Sequence, residues 1–243
     1  MDAKLEQFLR NRNLDKVVNN AVRPLLDDSD IKRVEIIVLK YKSPEIEEDC
    51  VSRIIRYTKW PYKLNIFDNR GNGPNTAKAW NKLIKESTCK YILLIDSDAF
   101  VHDTIKSAGP RRPNICWLTE MIYGLESTDN VALVGPVSGN SGVTTVQSMS
   151  PRDIDPFEVD GHLSGYCFLT KKSIYDEVGY FDEDFCFYGQ ESDWIERVHE
   201  LGKHRIVIAP RAHVMHGYED QDGSQSAKQA EKDGEMSIDD EAR

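Results

Sequence analysis

The sequence predicts an α/β fold in which a mostly parallel central sheet is flanked by helices. Apolar runs of strand length alternate with stretches in which apolar residues recur every three or four positions. The first run, Val34 to Leu39, is almost continuously apolar, which is typical of a strand covered on both faces in a parallel sheet. Strands and helices that alternate in this way form an open sheet with right-handed crossovers.

The first three strands and the helices between them can be assigned in order. Pro44 and the acidic residues after it are typical of a helix start, and residues 51–55 place apolar side chains on one face. A second strand is predicted from Lys63 to Phe67, and a Gly/Asn-rich loop follows it. The helix after that loop, around residues 77–84, again has one apolar face. A third strand, Tyr91 to Ile95, ends abruptly at acidic residues.

The pattern is looser in the second half of the chain. We expect one helix at residues 115–125 and a final helix at 192–201 that ends at Gly202. The apolar face of the final helix would carry Trp194, Ile195, Val198 and Leu201. Shorter strand-like runs occupy residues 131–134, 144–147, 166–169, 205–208 and 212–215.

Composition divides the chain into three parts. Residues 1–30 are predicted to form an N-terminal helical extension, because their apolar positions recur at helical spacing. Residues 31–218 contain all of the predicted strands and are expected to form one globular domain. Residues 219–243 are acidic and poor in apolar side chains, which predicts a disordered tail.

Charge and cysteine content exclude several classes of protein. The formal net charge of −10 and the absence of a long basic run argue against nucleic-acid binding. The five cysteines are widely spaced without a Cys-x-x-Cys pair, which favours reduced thiols in a cytoplasmic protein. No apolar run reaches the roughly 20 residues that a transmembrane helix needs, so we expect a soluble chain. Peripheral association with a membrane enzyme complex stays open.

Acidic residues follow the second and third predicted strands. Asp68 ends the second strand, and Asp96 and Asp98 follow the third at i, i+2 spacing. The carboxyl ends of parallel strands meet at one edge of a sheet, where ligands bind in open α/β folds. Two carboxylates this close repel each other unless a cation or ligand uses them, and Mg²⁺ or Mn²⁺ would prefer their oxygens. The alternative is an acidic turn that only ends a strand.

Later residues extend this pattern. Phe181-Asp182-Glu183 precedes the acidic run Gln190-Glu191-Ser192-Asp193, and Arg197, Gly202, Pro210, His213 and His216 follow. Asp68-Asn69 ends the second predicted strand, and the D-x-D sequence Asp96-Ser97-Asp98 follows the third. With these two strand ends, the order of motifs resembles that of the family-2 glycosyltransferases of the GT-A fold, including rhamnosyltransferase-like members. The resemblance covers roughly residues 34 to 217. It implies a nucleotide-diphospho-sugar transferase fold and a hexosyl- or deoxyhexosyltransferase that acts by inversion.

The resemblance also implies roles for the donor-side residues. Asp68 would hydrogen-bond a uracil or thymine base, which favours UDP or dTDP. Asp96 would lie near the ribose and the metal, and Asp98 would ligate Mn²⁺ or Mg²⁺ directly. His216 would complete the metal site, with His213 as a rival ligand. The partners implied are a nucleotide-diphosphate sugar donor and a glycan or other hydroxyl acceptor.

The acceptor side departs from the family pattern. Family members commonly have Glu-Asp-x-Asp ahead of the arginine, so Glu191 occupies the position of the usual catalytic aspartate, with Asp193 as the alternative base. Gly165 lies where the family places small residues, so that substrates can approach the backbone; the plain alternative is a turn before a strand. Tyr188 and Trp194 are candidates to stack on the acceptor sugar, although Trp194 also fits a core position.

Two other functions are consistent with parts of the pattern. A sugar-phosphate nucleotidyltransferase shares this general architecture, but it usually has a glycine-rich loop after the first strand, where this chain reads Lys40-Tyr41-Lys42-Ser43-Pro44. A catalytically impaired sugar-nucleotide or glycan-binding module would retain the binding residues despite the altered acidic run. A turnover assay distinguishes this module from an enzyme.

Overall fold

The computed structural model describes residues 34–41, 43–70, 75–103, 116–126, 130–139, 145–185 and 188–217, together with Lys232. The predicted N-terminal extension (1–30) and, apart from Lys232, the predicted tail (219–243) lie outside the described residues. Within these ranges, no helix combines the length and apolar character needed to cross a membrane.

The described residues form a mixed sheet whose strands mostly run in the same direction. The strands are β1 (Val34–Lys40), β2 (Tyr62–Asp68), β3 (Tyr91–Asp96), β4 (Ala99–Val101), β5 (Val131–Val137), β6 (Phe157–Glu158), β7 (Cys167–Lys171) and β8 (Arg205–His216). Their order is β2-β1-β3-β7-β5-β8-β4, and β6 pairs with β8. β1, β2, β3, β5 and β8 share one direction, whereas β4, β6 and β7 oppose it. This confirms the predicted fold class.

Helices cover both faces of the sheet. They are α1 (Pro44–Tyr57), α2 (Thr76–Glu86), α3 (Trp117–Glu126), α4 (Lys172–Val178) and α5 (Gln190–Glu200), with a 3₁₀ turn at Val146–Ser148. β1 shows how the two cores divide, because its alternate side chains enter different clusters. Val34, Ile36 and Val38 pack with α1 and α3, whereas Ile37 and Leu39 pack with α2, α4 and α5. Both faces are therefore apolar, as the uninterrupted β1 sequence predicts.

Several elements differ from the sequence prediction, including the short strands β4 and β6, which have no counterpart in it. A strand is expected at 144–147, but the described residues of this run, 145–147, belong to the 3₁₀ turn and its cap. The Thr145 side chain caps the turn by accepting a hydrogen bond from the backbone N–H of Gln147. The runs 205–208 and 212–215 are one strand, β8, whose pairing with β5 shifts register between Ala209 and His213 and whose residues 214–216 pair with β4. Helix α4 has no counterpart in the prediction.

The final helix buries three of the four residues predicted for its apolar face, Trp194, Ile195 and Val198. Trp194 is fully buried in the core, and its indole N–H donates to the carbonyl of Gly179 at 2.8 Å. Leu201 lies beyond the end of α5 and is exposed, because the helix stops one residue earlier than predicted.

Candidate active site

Three strand ends bring two carboxylates and an imidazole together. Asp96 is the last residue of β3, and Asp98 lies in the turn between β3 and β4. β4 pairs with the end of β8 so that Ala99 is opposite His216, and the N–H of Gly217 donates to the Asp98 carbonyl at 2.9 Å. His216 Nε2 is consequently 3.6 Å from Asp98 Oδ1 and 3.8 Å from Asp96 Oδ2.

This Asp-Asp-His group has the composition and spacing of a divalent-metal site. One ligand atom from each of the three residues lies within 4.8 Å of the others. Carboxylate oxygens suit both Mg²⁺ and Mn²⁺, and the imidazole nitrogen favours Mn²⁺. Asp98 is almost fully buried, so its charge requires a compensating partner inside the protein.

The electrostatics of Asp96 also favour a bound cation. Burial, and next the neighbouring Asp98 carboxylate, raise the pKa of Asp96 to about 7. The folded state holds the Asp96 proton more tightly than the unfolded chain, in which the pKa of an aspartate is about 4. The free energy of unfolding therefore falls as the pH rises from about 4 to about 7. A cation that displaces this proton would remove the penalty.

Tyr166 supports both sides of the Asp-Asp-His group. Its carbonyl accepts the backbone N–H of Asp96 at 2.8 Å, and its ring stacks on the His216 imidazole with centroids 5.1 Å apart. His213 takes a different position: its Nε2 lies 3.1 Å from the Ser138 carbonyl and its ring stacks on His102. The structure thus brings His216, and not His213, to the two aspartates.

Glu191 lies across the cavity in the first turn of α5, directly over Gly165. A Cβ atom built on Gly165 would be 2.6 Å from Glu191 Cγ and 2.7 Å from its Cδ, so the glycine leaves the space that the carboxyl fills. Burial raises the pKa of Glu191, and the backbone N–H of Gly165 partly offsets the shift. A partly buried carboxyl with a raised pKa suits proton transfer.

Asp193, the alternative base, has a structural partner. Its carboxylate accepts from Arg197 Nε at 3.0 Å and from Arg197 Nη2 at 2.7 Å, one turn along α5. The same guanidinium donates to the carbonyls of Val178 and Tyr180 and so ties α5 to the segment after α4. Asp193 does not line the cavity that Glu191 lines.

The cavity between these residues has a volume of about 200 Å³. Asp96, Asp98 and His216 line one part of it, and Gly165 and Glu191 line another. Lining residues that the sequence interpretation assigned to no site include Tyr41, Asn69, Trp80 and Gln190. None of the described lining residues is a lysine or an arginine, so a bound diphosphate would find no basic side chain among them.

Asp68 and its neighbour Asn69 face different directions at the end of β2. The Asp68 side chain is half-exposed and accepts from Arg70 Nε at 2.8 Å; this hydrogen bond lowers the pKa of Asp68 to about 2. Asp68 is not among the cavity-lining residues, whereas the buried Asn69 is. Asn69 follows the predicted site residue Asp68 directly, and this is the only hint of its role that the sequence offers. Which of the two side chains faces the cavity depends on how β2 ends.

Comparison with known proteins agrees with the fold. Residues 9–107 match the model of "Glycosyl transferase family 2". No curated protein sequence matches the chain. Among solved structures, the fold is similar to GalNAc-T7 with UDP, GalNAc and Mn²⁺, at 11% identity and a TM-score of 0.58; the match covers 82% of this chain and 45% of that one.

A second similar structure is the mannosyltransferase PcManGT from Pyrobaculum calidifontis in complex with GDP-Man and Mn²⁺. It is 13% identical with a TM-score of 0.50, and the match covers 87% of this chain and 62% of that one. This chain thus spans about half of the first neighbour and less than two thirds of the second. Residues 9–107 of this chain are thus similar to the glycosyl transferase family 2 model, and the described part of the chain has the GT-A fold.

Proposed function

We propose that the protein is a metal-dependent glycosyltransferase that moves a sugar from a nucleotide diphosphate to an acceptor hydroxyl. The observation that carries the proposal is that the Asp-Asp-His group and the partly buried Glu191 open into one cavity. A cation site and a raised-pKa carboxyl are the two groups that such a transfer needs.

The proposed metal is Mn²⁺ or Mg²⁺, held by Asp98 and His216 with Asp96 beside them. When bound, the ion supplies positive charge to the diphosphate, which the described lining residues do not provide. The imidazole ligand favours Mn²⁺. The two similar structures were both determined with Mn²⁺, which supports the same choice.

In the proposed reaction, Glu191 acts as the general base. Its carboxylate accepts the proton of the acceptor hydroxyl while the hydroxyl oxygen forms a bond to the anomeric carbon. The bond between that carbon and the diphosphate oxygen breaks, and its electron pair leaves with the diphosphate. The backbone N–H of Gly165 holds the Glu191 carboxyl in place, and the resemblance to inverting family-2 enzymes implies inversion at the anomeric carbon.

We propose a pyrimidine nucleotide in the donor, as the resemblance to family-2 glycosyltransferases implies. Asp68, proposed to read the ring N–H of uracil or thymine, would need to leave Arg70; the buried Asn69 amide is the neighbouring group that already lines the cavity. We propose a hexosyl or deoxyhexosyl donor, because of the rhamnosyltransferase-like resemblance of the sequence. The exposed Tyr188 ring at the cavity supports a glycan as the acceptor.

We expect UDP or dTDP, each with Mn²⁺, to raise the melting temperature more than GDP or ADP does. At a ligand concentration of about 100 times Kd the stabilisation should reach roughly 2.7 kcal/mol. Differential scanning fluorimetry with the four diphosphates at equal concentration measures this. A larger shift with either purine diphosphate would contradict the assignment of a pyrimidine base to Asp68.

Transfer should depend on the metal. With the donor sugar and acceptor found by screening nucleotide sugars, EDTA should abolish product formation and excess Mn²⁺ should restore it. Donor binding without any turnover would favour the impaired binding module instead. Release of pyrophosphate from a nucleoside triphosphate and a sugar phosphate would favour a nucleotidyltransferase.

A further inference from the structure

A buried glutamine beneath the cavity is not explained by the proposed chemistry. Gln147 lies in the 3₁₀ turn, is fully buried and does not line the cavity. Burial of a primary amide is costly unless its donors and acceptor are paired. The partners of this amide therefore indicate what the residue holds in place.

The Gln147 side chain connects the end of β5 to the segment that carries Gly165. Its Oε1 accepts the backbone N–H of Ser164 at 2.7 Å, and its Nε2 donates to the Pro136 carbonyl at 3.1 Å. A second contact to Oε1 comes from the Thr145 hydroxyl at 3.3 Å. The amide nitrogen and the amide oxygen of Gln147 are thus both hydrogen-bonded.

Close packing fixes the position of this amide. A Cβ atom built on Gly135 would be 2.7 Å from Gln147 Nε2, so even an alanine at that position would displace the side chain. The backbone carbonyl of Gln147 also accepts the N–H of Ser138 at 2.7 Å. The side chain has little freedom to move without breaking its bond to Ser164.

The segment that Gln147 holds contacts the proposed base and two members of the Asp-Asp-His group. Ser164 itself lines the cavity, and Gly165 lies beneath the Glu191 carboxyl. The next residue, Tyr166, accepts the N–H of Asp96 and stacks on His216. A displacement of residues 164–166 would therefore alter the base and the Asp-Asp-His group together.

We propose that Gln147 is a positioning residue that fixes Ser164–Tyr166 and, through this segment, aligns Glu191 with the Asp-Asp-His group. The expected effects of Gln147 on Mn²⁺ binding and on transfer rest on the glycosyltransferase proposed above. Its expected effect on the position of Ser164–Tyr166 does not. Residues that orient a metal site or a catalytic group from outside typically change affinity or activity about 10–100-fold when they are replaced.

The test compares Gln147→Met with Thr170→Val. Methionine keeps the length of the side chain and removes the amide, which leaves the Ser164 N–H without its acceptor. Thr170 is a matched control on β7, because its buried hydroxyl donates to the Ala132 carbonyl at 2.6 Å and contacts no site residue. Both variants lose buried hydrogen bonding, but only the first loses the bond to residues 164–166.

Three measurements follow for each variant: amide hydrogen exchange at Ser164 and Gly165, the Mn²⁺ dissociation constant in the presence of UDP, and kcat and KM for transfer. In Gln147→Met we expect faster exchange at both amides, about 10–100-fold weaker Mn²⁺ binding and a similar fall in kcat, with a smaller change in acceptor KM. Thr170→Val should retain wild-type values. Gln147→Glu, whose neutral carboxyl can still accept from Ser164 and donate to Pro136, should recover most of the loss.

Unchanged exchange at Ser164 in Gln147→Met, or an equal change in Thr170→Val, would overturn the proposal. Wild-type Mn²⁺ affinity and kcat in Gln147→Met would also overturn it. If the wild type itself neither binds Mn²⁺ nor transfers sugar, the proposed function fails, and the exchange comparison alone decides whether Gln147 fixes the segment. Should Gln147→Met not fold, Gln147→Asn replaces it, because its shorter amide cannot reach both partners.

Discussion

Replacement of Glu191 by glutamine is expected to lower kcat by about a hundredfold or more, within the range that general bases contribute. Glutamine has nearly the same shape, and its side-chain oxygen can still accept the Gly165 N–H, so the fold and the cavity should persist. What the variant loses is the carboxylate that takes the acceptor proton. Binding of UDP with Mn²⁺ should change little, because the Asp-Asp-His group is intact.

Asp193→Asn is the matched control for this loss. Asp193 lies on the same helix but pairs with Arg197 and does not line the cavity, so its amide variant should retain turnover and lose up to about 1 kcal/mol of stability. Steady-state kinetics and thermal denaturation of both variants measure the difference. An inactive Asp193→Asn beside an active Glu191→Gln would transfer the role of base to Asp193.

The largest effect on stability is expected at Arg211. Arg211 and Glu120 are both almost fully buried, and Arg211 Nη1 is 3.2 Å from Glu120 Oε1, with Asp153 Oδ1 3.5 Å from Arg211 Nε. Arg211→Met would leave the Glu120 carboxylate buried without this partner. Loss of one partner of such a pair costs roughly 3–5 kcal/mol in free energy of unfolding.

Denaturant unfolding of three variants tests this. Arg205→Met is the control, because the Arg205–Glu158 pair is half-exposed and should contribute at most about 1 kcal/mol. The double variant Arg211→Met/Glu120→Leu should recover part of the loss, since it removes the buried charge. Equal stability of Arg211→Met and Arg205→Met would show that burial of the Arg211–Glu120 pair has no energetic consequence.

Much of the fold could be predicted because local sequence and tertiary environment agree. The continuous apolar run of β1 is buried on both faces, and the prediction of a parallel strand there is confirmed. β8 was divided in the prediction because Ala209-Pro210-Arg211 interrupts its apolar pattern. The strand continues there because its pairing with β5 resumes at His213 after a register shift, which is a tertiary feature that the local sequence does not encode.

The same distinction applies to the candidate site. Asp96 and Asp98 could be selected from sequence, since two carboxylates at i, i+2 spacing repel each other unless a cation or ligand uses them. Asn69 and Gln147 could not, because their side-chain directions depend on how β2 ends and on the 3₁₀ turn. Gln147 lies in a run that resembles a strand, and only its buried partners show why it forms a turn.

A direct Mn²⁺ titration, followed by electron paramagnetic resonance in the presence of UDP, tests the central claim that the Asp-Asp-His group holds a metal. The wild type should bind one ion at this site, and Asp98→Asn should weaken its affinity by about tenfold or more. Replacement of residues that only support metal ligands already lowers affinity by about this factor. Asp193→Asn should bind as the wild type does. No ion bound by the wild type, or equal affinity in a folded Asp98→Asn, would contradict the account.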